Sequence, residues 1–312
     1  MPIAQHLQPS PTTRIGPGIN NAIKPEFVAP SGNTAFAGFS VLRNVDEDPG
    51  LAVMSFSHTY TDQLFAFGIG TSYAAPVVAR SAAILLKQLE QQYPLVPQAN
   101  LVRAFLASSA VVPQPAVELL KDEYGEEGIR RVCGYGMIDD EFAMNAGDRR
   151  VTQFHQGTIM LDTFQIFEVP IPEEFCNAVG KKTMTITLAY DPPVRSRRAR
   201  YLGVKMNYRL IRGKTVQEIT DGYRALTSEE KNGFDESDDK APSAFKPPYL
   251  CDLQPKTKSL QGSTLQKSSW TFLFIQRVVW RQLFSGGSGT ARLGARNLHG
   301  SEVCCHRNSR SE

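Results

Sequence analysis

The stretch YAAPVVARSAAILLKQLEQQY, residues 73–93, constrains the fold more than any other part of the chain. Its first half is apolar on nearly every side. It becomes amphipathic at helical spacing only through Leu85, Leu86 and Leu89, so it reads as a helix buried at its start and exposed at its end. Pro76 is placed in the first turn, where a missing backbone donor costs little. Tyr93-Pro94 closes the helix, because the residue before a proline avoids the helical region. Short apolar strand candidates such as EFVAP and AVMSF precede it, and this alternation of strands with helices predicts an α/β layered domain.

Immediately before the helix lies GIGTSYAAP, residues 68–76, a run of small residues with a hydroxyl at Ser72. Small residues leave the backbone open to close approach. A helix N-terminus adds free N–H groups and the positive end of the dipole, which favour an anion. Such a position suits a nucleophilic serine, whose oxyanion needs backbone donors beside the hydroxyl. It suits an ordinary N-cap serine equally well. Position alone leaves both readings open.

The pattern G-T-S-x-A-x-P narrows the choice, since average residue usage gives it by chance in roughly one chain of this length in a few thousand. Through Gly70, Thr71, Ser72, Ala74 and Pro76 the chain resembles the subtilisin-like serine proteases, the subtilases. Upstream, GPGINNAIKPEFVAPSGN (16–33) is similar to the stretch that carries a strand before the nucleophile, with Lys24, Pro25, Ala29 and Pro30 on the pattern and Ser31 where glycine is more usual. Downstream, GYGMIDDEFAM (134–144) is similar to the closing glycine turn and final helix of the family. The resemblance implies that Ser72 attacks a peptide carbonyl and that its own N–H supplies one oxyanion donor. It also implies an Asp and a His roughly 150 to 190 residues before the serine, whereas 71 residues precede Ser72. The oxyanion Asn of the family would fall near Gln5 to Leu7, where none stands, and Asn20, Asn21 and Asn33 lack its context. His58, in MSFSHTYTDQ, is more simply a surface histidine than a substitute base, and His6 and His155 lie farther off. The expectation is therefore the C-terminal part of a larger protease, whose Asp and His belong to a preceding segment and which is inactive alone.

From about Val151 the pattern turns to β. In TMTITLAYD, Met184, Ile186, Leu188 and Tyr190 alternate with Thr183, Thr185 and Thr187, and a second run alternates through Leu202, Val204, Met206, Tyr208 and Leu210. Two such strands predict an antiparallel sheet with one wet face, in a β-sandwich-like domain. RSRRAR (195–200) reads as a solvated loop, and the acidic stretch 227–243 as a flexible insert. After SSWTF the periodicity vanishes into Gly, Ser and Arg, which predicts a disordered tail or a shifted reading frame. The expected layout is a partial subtilisin-like parallel-sheet domain over 1–148, a β-sandwich-like domain over 149–272 and the tail over 273–312.

Bulk composition sets the partners. A net charge of +3 over 312 residues argues for neither nucleic acid nor a membrane surface. No run approaches the ~20 apolar residues of a membrane span, and the N-terminus has no signal-peptide pattern. The five cysteines, Cys133, Cys176, Cys251, Cys304 and Cys305, have no C-x-x-C spacing, so reduced thiols without a zinc site or disulfide framework are expected in a cytoplasmic protein. No cofactor or metal is expected, and the partner is a protein or peptide substrate. The alternative is a non-catalytic remnant that binds a partner through its β-domain.

Overall fold

The computed structural model describes residues 2–18, 22–37, 43–45, 48–144, 150–160, 164–169, 181–191, 204–212, 215–225, 253–260, 271–279 and 301–310. The chain divides into two compact units, one of residues 1–97 and 105–145, the other of 98–104 and 146–312. RSRRAR and the acidic insert lie outside the described residues.

The first unit combines short strands with helices. β1 (Ala35–Ala37) pairs antiparallel with β2 (Arg43–Val45), and β3 (Val53–Phe56) pairs antiparallel with β4 (Phe65–Gly68). α1 (Thr71–Gln92), α2 (Ala99–Ser109), α3 (Gln114–Cys133) and α4 (Asp140–Met144) follow, with residues 99–104 of α2 belonging to the second unit. Of the strand candidates read from sequence, AVMSF forms β3, while EFVAP forms only a single parallel bridge from Val28 to Met137. That bridge is the one parallel pairing among the described residues; the expected parallel sheet is otherwise represented by antiparallel ribbons, whose strands can pair across short connections.

Helix α1 ends where the proline predicts: Tyr93 is its C-cap, with an extended backbone at φ −127° and ψ 141°. Its burial is the reverse of the expectation. Thr71, Ser72, Ala75, Pro76 and Val77 are exposed, and the buried positions are Ser81, Leu85 and Leu89, one stripe at four-residue spacing. The physical reason is side-chain size: alanines gain little by burial, whereas a leucine gains about 1.5–3 kcal/mol. α2 is buried nearly all round, through Leu101, Val102, Ala104, Phe105, Leu106 and Ala107. α3 breaks its helical geometry at Gly125, where φ is 62°, and its Ala116, Leu120, Ile129, Val132 and Cys133 form a core cluster with Val28, Val112 and Val117.

The second unit holds β5 (Arg150–Gly157), β6 (Phe164–Glu168), β7 (Lys181–Tyr190), β8 (Val204–Arg212), α5 (Val216–Ala225), β9 (Leu253–Leu260), β10 (Thr271–Val279) and β11 (Ser301–Arg310). They form two antiparallel sheets, β6-β10-β8 and β5-β11-β7-β9. Both alternating runs read from the sequence are strands, β7 and β8. The wet face is not found on β7: Ile186, Thr187, Leu188, Ala189 and Tyr190 are all buried, so both faces are covered at that end. Thr187 is the instructive case, since its methyl lets a residue that reads as polar tolerate a buried strand position. α5 begins with a capping box, in which Thr215 Oγ1 accepts from the Glu218 N–H at 3.2 Å and Glu218 Oε2 accepts from the Thr215 N–H at 2.6 Å. The structure differs from the expected tail: Thr271–Val279 and Ser301–Arg310 are paired strands. Ladder pairing uses backbone groups that every residue but proline carries in full, so a stretch without apolar rhythm can still complete a sheet.

His155 of β5 touches Phe167 of β6, with ring centroids 4.5 Å apart, and thereby joins one sheet of this unit to the other. Gly157 makes room for the imidazole, since a Cβ there would stand 2.9 Å from Nε2. Burial lowers the His155 pKa from its usual 6.5, so folding favours the neutral ring. The contact's contribution is present above about pH 6.5 and is lost as pH falls through the lowered folded value. Unfolding of the chain followed between pH 8 and pH 5 is expected to show this loss, and His155→Phe is expected to reduce the slope.

Candidate active site

Ser72 is the second residue of α1, and the turn that delivers it is built from glycine. β4 ends at Gly68, whose bare α-carbon admits the Tyr73 ring; a Cβ at that position would meet the Tyr73 hydroxyl. Gly70 is the N-cap with φ 121° and ψ 172°, a backbone state that side chains other than glycine's rarely adopt. Its N–H donates to the Ser31 carbonyl at 2.9 Å, and its carbonyl accepts from the Tyr73 N–H at 3.0 Å. The strand-to-helix reversal is thus pinned on both sides of Ser72.

The cap reading of Ser72 does not hold, because Gly70 is the cap and no side chain bonds the helix start. The Ser72 side chain is exposed, and its hydroxyl makes no hydrogen bond among the described residues. Its N–H belongs to the first turn, whose donors have no intrahelical acceptor. Pro76 is the sixth helical residue and not in the first turn. It stands four residues after Ser72, so it removes the N–H that would otherwise bond the Ser72 carbonyl and crowds that oxygen with its ring. The first turn carries no acidic residue, which leaves the positive end of the helix uncompensated by side chains.

The three sequence stretches that carry the subtilase resemblance meet in this unit. Ser31 of the first bonds Gly70 of the second. Val28 N–H donates to the Gly136 carbonyl at 3.0 Å and Tyr135 N–H to the Glu26 carbonyl at 2.8 Å, which ties the first stretch to the third, and Gly16 N–H donates to the Arg131 carbonyl at 2.9 Å at the end of α3. Met137 continues the contact by exchanging two 2.9 Å hydrogen bonds with Val111. Phe27 packs on Tyr135 at 6.2 Å between centroids, and the Arg130 guanidinium lies 5.3 Å over the same ring. Arg80 of α1 approaches Asp140 of α4 at 3.8 Å, an exposed pair worth at most about 1 kcal/mol.

The other candidates are placed elsewhere. Asn33 uses its side chain structurally: Nδ2 donates to the Ala4 carbonyl at 2.6 Å and Oδ1 accepts from the Thr34 N–H at 2.8 Å. Asn20 and Asn21 lie outside the described residues. His58 is exposed in the loop between β3 and β4, His6 is exposed, and His155 belongs to the second unit. Cys133 is free and buried in the α3 core, and burial pushes its thiol up to about 11, so it stays protonated and inert at neutral pH. No cluster of His, Cys, Asp and Glu suited to a metal occurs among the described residues, and no described helix is long and apolar enough to cross a membrane. Sequence reasoning missed the backbone joint at 134–137; the spacing of Gly134 and Gly136 around one tyrosine was its signal.

Comparison with known proteins agrees with this arrangement. Residues 4–136 match the model of the subtilase family, peptidase S8, so that part of the chain is similar to the subtilases. The uncharacterized protein y4bN of Sinorhizobium fredii (strain NBRC 101917 / NGR234) is 39% identical over 272 residues, which cover 87% of this chain and 60% of that protein. The chain therefore spans about 60% of the length of this curated relative. The second match is about twice as long as the first, so the likeness to y4bN extends beyond residues 4–136 into the β-rich region.

Gly136 has φ 114°, and a Cβ on it would run into the backbone of Val111 and Val112. Gly136→Ala is expected to destabilise the first unit by roughly 2 kcal/mol or more, from backbone strain and lost 134–137 pairing. Gly222→Ala in α5, where a Cβ meets open space, is the control and is expected to be neutral or slightly stabilising. Urea unfolding of the two variants measures the difference.

Proposed function

We propose that this chain is the nucleophile-bearing part of a subtilisin-like serine endopeptidase and that Ser72 is its nucleophile. The observation that carries the reading is the convergence of the three resemblance stretches by backbone hydrogen bonds around the Gly70 turn that exposes Ser72. In the proposed reaction Ser72 Oγ attacks the scissile carbonyl carbon while its proton passes to a histidine. The tetrahedral oxyanion is met by the Ser72 N–H at the positive end of α1. Collapse expels the amine, which takes the proton, and water then hydrolyses the acyl-enzyme by the same steps in reverse roles. The histidine and its orienting Asp are proposed to come from polypeptide beyond this chain. In keeping with that, Ser72 Oγ has no hydrogen-bond partner among the described residues.

The substrate class is protein or peptide, without a cofactor, and the cytoplasm is the proposed location. The incipient parallel pairing of Val28 with Met137 is proposed as the remnant of the family's parallel sheet. The two antiparallel sheets of the second unit are proposed to form the β-sandwich-like domain, a reading supported by the His155–Phe167 contact between them.

Labelling by a serine-directed fluorophosphonate tests the assignment. Full-length protein is expected to be labelled at Ser72 and to lose both labelling and peptidase activity in Ser72→Ala; labelling that survives the substitution overturns it. The 312-residue chain alone is expected to label at least about a hundredfold more slowly, the usual contribution of a general base.

A further inference from the structure

The β3–β4 ribbon presents an apolar face that neither the fold nor the proposed chemistry uses. Its register sets Met54 opposite Phe67 and Phe56 opposite Phe65. Because side chains alternate, these four share one face, while Val53, Ser55, Ala66 and Gly68 share the other. Phe56 is 77% exposed, Met54 59% and Phe65 39%, and Tyr60 in the connecting loop is 72% exposed. Phe56 and Phe65 are stacked at 5.8 Å, so the face is ordered before anything binds it. Across residues 53–68 the only ionisable acid or base side chains besides Tyr60 are His58 and Asp62, both in the loop. A two-stranded ribbon is marginal by itself, and a contiguous apolar patch of this kind marks a contact surface.

We infer that this face packs against the same face of a second copy of the chain, about a two-fold axis. The face has no charge with which to recognise a charged partner, and it is its own apolar complement. An isologous contact also closes on itself and does not propagate. Side chains of these types cover about 200 Å² each, so at the observed exposures Phe56, Met54 and Phe65 present about 350 Å² on the face, and Tyr60 of the connecting loop raises this to about 500 Å² per copy. A two-fold pair then buries about 1,000 Å², the lower bound for a specific interface and the range of dissociable dimers. Two ribbons stacked face to face stand about 10 Å apart, a spacing that lets Phe56 and Phe65 interdigitate across the axis. With the loops at opposite ends, the two Asp62 carboxylates stay apart.

Sedimentation velocity of the full chain from 1 to 100 μM tests the inference. A reversible monomer–dimer equilibrium is expected within this range. Phe56→Asp and Met54→Asp, each on the face, are expected to raise the dissociation constant at least about tenfold, because each buries a charge in the contact. Ser55→Asp, exposed on the opposite face, is expected to leave it unchanged. All three sites are exposed on a short ribbon, and far-UV circular dichroism checks that the variants fold. A chain that stays monomeric to 100 μM overturns the inference and assigns the face to another occupant, such as a further segment of the polypeptide or an unlike partner. A dimer that survives Phe56→Asp and Met54→Asp, or is lost equally in Ser55→Asp, also overturns it. None of these outcomes bears on Ser72, so failure here is separable from failure of the protease reading.

Discussion

Close backbone contact between residues 25–28 and 134–137 is the interaction on which the first unit depends. These segments are distant in sequence, and their main chains approach until carbonyl and amide bond directly, at Glu26–Tyr135 and Val28–Gly136. Such an approach tolerates no Cβ. At Gly134 one would meet the carbonyls of Pro25 and Glu26, and at Gly136 the backbone of Val111 and Val112. Gly134 also closes α3, its N–H bonding the Arg130 carbonyl at 2.9 Å. One glycine therefore stops a helix and opens the space for a long-range joint, and the α3 core of Leu120, Ile129 and Val132 is held beside Val28 as a result.

The same device serves the serine. Gly70 reverses the chain between strand and helix, anchors it to Ser31 and brings Ser72 out at a helix start with no side-chain cap. Pro76 then frees the Ser72 carbonyl from the helical ladder. Neither residue touches the hydroxyl. Both act on the peptide units that flank it, so the turn around the serine is fixed by backbone geometry and is poor in side chains.

What could be read from the sequence followed from local chemistry. The stop at Tyr93-Pro94, the strand at AVMSF, the alternation in β7 and β8 and the helix start near Ser72 each depend on a few adjacent residues. What could not be read depended on partners. Alternation around Thr187 predicts a wet face, yet the neighbours that cover it are remote in sequence. The apolar start of α1 predicts burial, yet the described residues cover its leucines and leave Ala75 and Val77 exposed. Around the site, the glycines and Ser72 were legible because their roles are set by φ and position. Asn33 was legible only as a spare amide, and its use in holding Ala4 required the fold.

The order of the larger sheet carries a consequence for how the chain is made. β5 and β7 do not pair with each other; β11 lies between them, with Cys304 opposite Phe154 on one side and Thr187 on the other. A growing polypeptide that has emerged only as far as β10 holds two halves of this sheet with a slot between them, each offering an unpaired edge. Closure waits for residues 301–310, and it joins segments separated by most of the unit's length, a topology that folds slowly. During synthesis the first unit can form early, while the β-rich unit stays open until β11 arrives to fill the gap.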